Sequence, residues 1–117
     1  SLHDALPIST VLGAFLAAVL VSATIALAAI GAAALARHRA QSGADLAALA
    51  AALALPAGPA PACDRARAQV GAMRMTLAGC LVDQLDAVVT VDVPVRVAGW
   101  DLGTARAVAR AGPVGPG

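Results

Sequence analysis

The sequence predicts an α+β fold: a single N-terminal transmembrane helix extended as a stalk, then a small domain of one short helix and two to three antiparallel strands. Three observations predict it. From Val11 to Ala36 every residue is apolar or small except Ser22 and Thr24. Helix-forming Ala/Leu sequence continues past that run to Leu55. Much later the period changes from about 3.6 to 2, with valine at positions 89, 91, 93, 95 and 97.

The apolar run comes first. About 26 helical residues extend roughly 39 Å at 1.5 Å each, more than the roughly 30 Å of a hydrocarbon core. A single transmembrane helix is therefore expected over 9–36, with some tilt. It stops at Arg37-His38-Arg39. Before it, Ser1-Leu2-His3-Asp4-Ala5-Leu6-Pro7-Ile8 does not share the style of the rest. That octapeptide resembles one reading frame of a widely used short-read sequencing adapter. Residues 1–8 are therefore set aside as a non-native scar, and any native leader is expected to have preceded it.

Residues 37–55 are expected to continue as a helical stalk. Leu46, Leu49 and Leu53 recur at helical spacing, and Arg37, Gln41 and Asp45 form a separate polar stripe at i, i+4. Gly43 weakens the helix by about 1 kcal/mol and is a place for a bend. The stretch Leu46 to Leu55 is too short to cross a membrane by itself. Three prolines in Pro56-Ala57-Gly58-Pro59-Ala60-Pro61 predict a linker over 56–62 that is extended and semi-rigid.

A small α+β domain is expected over 63–111. Asp64 to Met75 reads as a short helix with Ala66, Val70 and Met73 on one side and Arg65, Arg67 and Arg74 solvated. Leu77 to Asp83 reads as a strand, turning through Gln84-Leu85-Asp86. The odd-numbered valines predict a half-buried strand with its odd face inward. Pro94 lacks an N–H, so the strand is expected to be an edge or to bulge there. Between Thr104 and Ala111, alanines alternate with Arg106, Val108 and Arg110. Alternation favours a third strand and alanine propensity a helix; the strand is preferred. Residues 112–117 read as a disordered tail.

The chain of 117 residues carries Cys63 and Cys80 as its two cysteines. Closing the loop between them is worth about 3 kcal/mol in the chain-entropy account. A disulfide is favoured over two free buried thiols, provided the domain lies outside the cytoplasm. Two cysteines and one native histidine do not make a four-ligand zinc site, so no metal and no cofactor are expected.

Composition excludes several function classes. The formal net charge is +1, with one Phe, one Trp and no Tyr. That offers neither a basic field nor a stacking platform for nucleic acid. All acids are aspartate and all bases arginine, the mark of a GC-rich genome. His38 lies between two arginines, and neither Ser22 nor Ser42 has a histidine to activate it. Asp83, Asp86 and Asp92 are commonplace at turns and on polar strand faces. No catalytic residue and no small-molecule substrate are expected, and the chain does not read as an enzyme. In the span, Ala14, Ala18, Ser22 and Ala26 make a small-xxx-small stripe of the kind that lets membrane helices approach closely.

These pieces together resemble the TadE/TadG-like proteins of tight-adherence (Flp-type) pilus assembly, in particular small actinobacterial, secretion-related TadE-like members. The resemblance rests on Ser9-Thr10-Val11-Leu12 opening the span and on the Arg-x-Gln-x-x-x-Asp-x-Ala-Ala-Leu-Ala stretch. In that stretch Arg39, Gln41, Asp45, Ala47, Ala48 and Leu49 carry the pattern. The Cys63 helix, Cys80 and the Val88–Val95 strand also fit. The glutamate typical near the start of pilin-like spans is not present. The resemblance implies a pseudopilin-like component of a pilus or secretion apparatus that contacts other subunits through its helix. It also implies a single-pass cell-membrane protein with an extracytoplasmic C-terminal domain. Arg37 and Arg39 behind the span argue for the reverse orientation. The family orientation is preferred, because a lost N-terminal flank can carry more positive charge and the cysteine pair suits an oxidising side. The alternative function is a membrane-tethered adaptor whose small sheet captures a partner at its edge.

Overall fold

The computed structural model describes residues 2–113, with side chains from residue 7 onward. Helix α1 runs unbroken from Leu2 to Ala54, 53 residues. A 3-10 turn, Leu55–Ala57, follows, then helix α2, Pro59–Ala72. Strands β1 (Thr76–Asp83), β2 (Asp86–Val97) and β3 (Trp100–Ala111) form one antiparallel sheet in the order β1-β2-β3. The fold class is the one expected from the sequence. The molecule is a rod, 84 × 32 × 16 Å, because α1 alone is about 80 Å long at 1.5 Å per residue.

The rod has two halves. From Pro7 to Ala28 every residue of α1 is exposed, including Val11, Leu12, Phe15, Leu16, Leu20 and Ile25. From Ala32 onward the same helix packs on the sheet and on α2. The extension past the span is therefore not free-standing: Ala36, Ala40, Ala44, Ala47, Ala48 and Ala51 are buried in the core. They recur at i, i+4, i+8, i+11, i+12 and i+15, one face of a 3.6-residue helix. The opposing layer is the inward face of β2, with Ala87, Val89, Val91, Val93 and Val95 buried, and Ala107 and Ala109 of β3. Helix α2 adds Ala62, Ala66 and Val70.

The leucines that suggested the helix's apolar face lie outside. Leu46, Leu49 and Leu53 are 49%, 53% and 77% exposed. The reason is distance of approach. Alanine lets a helix backbone lie close to a sheet whose inward side chains are valines. A leucine there would hold the layers apart. Gly43 shares the buried stripe, and instead of marking a break it makes room: a Cβ there would lie 2.5 Å from Met75 Sδ.

The proline-rich segment also differs from an extended linker. Pro59 and Pro61 stand in the first turn of α2, after Gly58 at its N-cap. First-turn N–H groups have no intrahelical partner, so proline costs nothing there. Gly58 has φ 117°, a conformation side chains disfavour, and its N–H donates to the Leu55 carbonyl at 2.9 Å. The short helix consequently starts at Pro59 rather than Asp64 and ends at Ala72, with Met73 as its C-cap.

The sheet follows the alternation. Odd residues of β2 face the helix through Val95. β1 pairs with β2 only as far as Thr76 opposite Asp92, so Pro94 lies beyond the end of β1, where that side of β2 is open. Strand β3 begins at Trp100, four residues earlier than the alternation from Thr104 indicated. The β2–β3 turn is Ala98-Gly99, both at positive φ (51° and 83°), the pattern of a tight type I′ hairpin. One residue, Leu102, is extra between the pairs Val95–Gly103 and Arg96–Asp101. That bulge reverses the side-chain alternation of β3, so Trp100, opposite Val97, shares the helix-facing side. Gly112 and Pro113 carry no regular structure, and the rest of the expected tail, 114–117, lies outside the described residues. The octapeptide set aside as non-native is helical from Leu2; that assignment rests on its sequence alone.

Candidate functional site

The candidate functional surface of this chain is α1, read in two zones. Between Pro7 and Ala57 it holds an apolar window long enough to cross a membrane, of which nothing is covered by the rest of the protein. A core helix of a soluble protein would be mostly buried. Ala14, Ala18, Ser22 and Ala26 all lie on this bare zone, available to another helix. Thr24 is satisfied within it, its hydroxyl donating to the Leu20 carbonyl at 2.8 Å. This is the usual way a hydroxyl is accommodated in an apolar helix.

In the second zone the Arg-x-Gln-x-x-x-Asp-x-Ala-Ala-Leu-Ala stretch acquires a physical meaning. Ala47 and Ala48 sit fully buried in the core. Gln41 and Asp45 form an outward pair, Gln41 Nε2 donating to Asp45 Oδ1 at 3.0 Å. Leu49 faces outward, and Arg39 borders a groove with Leu35, Arg74 and Arg96. The motif thus combines core positions with exposed ones. It is not a catalytic constellation.

Cys63 in α2 and Cys80 in β1 are joined by a disulfide, with Cα atoms 5.8 Å apart. The bond ties the short helix to the strand that follows it. Both cysteines are half-buried at the α2–β1 contact.

Asp83, Asp86 and Asp92 are all paired with arginines. Arg106 holds Asp92 bidentately, Nε to Oδ1 at 2.8 Å and Nη2 to Oδ2 at 2.9 Å. The two residues stand directly opposite in the β2–β3 register. Arg110 donates to Asp86 at 2.9 Å and to Asp83 at 3.0 Å, joining the ends of all three strands. Its guanidinium is held protonated above its ordinary value by the bond to Asp86, then by that to Asp83. A side chain at Gly112 would run into the Asp86 carboxylate, so the chain leaves β3 through a glycine there. Among the described residues no group of three or more His, Cys or Asp could hold a metal ion.

The hydrogen bonds from Arg106 hold the Asp92 carboxyl below its ordinary value of 3.8, against the opposing effect of partial burial and with the help of the guanidinium charge. A carboxyl depressed in the folded state contributes stability above its unfolded pKa. That contribution is lost as the pH falls below 3.8 and through the folded value. Arg106→Gln should therefore flatten the acid limb of thermal stability and leave its shape at neutral pH and above unchanged. Melting curves across that limb check this; identical acid limbs for both proteins would refute it. The pair is largely exposed on the arginine side, so the effect is small.

Comparison with known proteins finds a family similarity along α1. Residues 8–54 match the family described as putative Flp pilus-assembly TadE/G-like. This segment is TadE/G-like. The match covers both zones, the bare rod and the alanine-lined packing face, and stops where α1 stops. No curated protein and no solved structure matches the chain. The remainder of the chain, with α2, the disulfide and the sheet, lies beyond the matched residues.

Proposed function

We propose that this chain is a non-enzymatic, envelope-anchored, pseudopilin-like component of a Tad/Flp-type pilus or secretion apparatus. The observation that carries the reading is the TadE/G-like match over a helix whose first half is bare and apolar. The span inserts in the cell membrane and packs against spans of other subunits through Ala14, Ala18, Ser22 and Ala26. The folded unit stands on the extracytoplasmic side, where its disulfide is stable. The adaptor alternative is favoured by one feature: among the described residues the outer edges of β1 and β3 have no strand beside them.

A photo-crosslinker at Ala18, in the native membrane, tests the first reading. Adducts to pilus or secretion subunits of the same system support it, and their absence while β1 or β3 crosslinks favours the adaptor. Ala18→Leu and Ser22→Leu should each reduce those adducts without reducing insertion, because the helix stays apolar while its small face is filled. Unchanged adduct yields would remove the small-residue stripe as the contact.

A further inference from the structure

The apolar run is longer than a membrane needs, and the structure shows what the surplus does. About 20 helical residues cross a hydrocarbon core of roughly 30 Å. The run from Val11 exceeds that length by about six residues. Its last part, Ala32, Ala33 and Ala36, is packed against the folded unit. The sheet therefore begins at the level where the hydrocarbon ends.

The part of the sheet at that level is the β2–β3 hairpin tip. Strand β2 runs back along α1 from the Leu53 end toward the membrane. Val95 and Leu102 share a groove with Ala29 and Ala33 of α1, and Pro94 and Arg96 share one with Ala32 and Ala36. Trp100 lies further along the same hairpin. It is 75% exposed, and Leu102 is 54% exposed. The bulge at Leu102 turns Trp100 to the helix-facing side. Trp is the residue type that settles at the membrane–water boundary.

Charge is distributed to match. Arg37 and Arg39 of α1, Arg74 after α2 and Arg96 of β2 line the two grooves flanking this level. None of the four makes an ion pair among the described residues, whereas Arg67, Arg106 and Arg110 all do. His38 lies beside them in sequence. The acid at this end is Asp101, which accepts the Gly103 N–H at 3.0 Å; Asp92 is neutralised by Arg106. Asp83 and Asp86 lie at the far end of the sheet.

We propose that the β2–β3 hairpin tip seats in the headgroup layer of an anionic bilayer beside the span, with Trp100 and Leu102 at the acyl boundary and Arg37, Arg39, Arg74 and Arg96 on lipid phosphates. The chain is thereby held at two points, and the folded unit takes a fixed tilt and depth. The inference rests on the span reading of α1.

The chain has one Trp and no Tyr, so its fluorescence reports on position 100. The full chain is reconstituted in vesicles of phosphatidylcholine alone and of phosphatidylcholine with one third phosphatidylglycerol. In the anionic vesicles Trp100 emission should be blue-shifted, severalfold less quenched by iodide, and quenched by lipids brominated high on the acyl chain. A combined R39Q/R74Q/R96Q variant should lose the iodide protection while its span still resists alkaline carbonate extraction. Those arginines are exposed and unpaired, so the fold tolerates their loss, and an intact Cys63–Cys80 bond checks it. Trp100 open to iodide in both vesicles, with the span inserted, overturns the proposal and leaves the anchor reading standing. Iodide protection without quenching by brominated lipid identifies a protein contact and also overturns it, as does protection that ignores lipid charge. Failure to resist carbonate overturns the anchor and this inference together.

Discussion

Ala48→Leu destabilises the folded unit by about 1–3 kcal/mol, the usual cost of forcing extra methylenes into a closed core. Ala48 is fully buried, and the alanine stripe it belongs to is the face that α1 contributes to the core. The larger side chain has to push the layers apart, and then the inward valines of β2, Val89, Val91, Val93 and Val95, lose contact with the helix. Leu49→Ala, one residue on, removes three carbons from an exposed position and changes stability within about ±0.5 kcal/mol. Chemical unfolding of the full chain in detergent micelles, followed by circular dichroism, gives both values. If Leu49→Ala costs more than Ala48→Leu, the alanine face is not the packing face.

Cys63→Ala or Cys80→Ala costs about 3 kcal/mol, because either change opens the same loop in the unfolded chain. The double variant costs no more than the larger single one, since one bond is lost in every case. The consequence is severe here because the core is built from small groups: the largest fully buried side chains are Val70, Val89 and Val91. Helix α2 contributes mainly Ala62, Ala66 and Val70 to burial, so it depends on its tie to β1 more than a leucine-rich helix would. Both thiols resist alkylation until a reductant is added. Ready labelling of unreduced protein refutes the bond and removes the chemical support for an extracytoplasmic domain.

What could be read from the sequence was what composition and period alone decide. The bare span needs only its apolar length. The inward face of β2 is unambiguous because valine alternates with Thr90, Asp92, Pro94 and Arg96. The alanines of β3 were legible for the same reason. The packing face of α1 was not. Alanine and leucine both count as apolar, both recur at helical spacing after Arg39, and period alone does not say which stripe meets a sheet. Only the need for close approach decides, and that belongs to the partner surface. The prolines of α2 misled because their effect depends on position in the helix: harmless at Pro59 and Pro61, disruptive a turn later. The start of β3 was hidden by the bulge at Leu102, which breaks alternation where Trp100 and Asp101 enter the strand. The Asp92–Arg106 and Asp86–Arg110 pairs join residues 14 and 24 positions apart, a relation that exists only once the register is set.

Helix α1 passes from the bare zone into the core with no interruption between Leu2 and Ala54. A flexible tether would absorb any displacement of the anchor before it reached the sheet. A continuous helix behaves as a push rod. Drawing the span out of the bilayer by one helical turn carries the folded unit outward by the same roughly 5.4 Å, and turning the span about its axis swings the sheet edges through the same angle. Any machine that grips this chain within the membrane thereby controls the height and heading of everything above it.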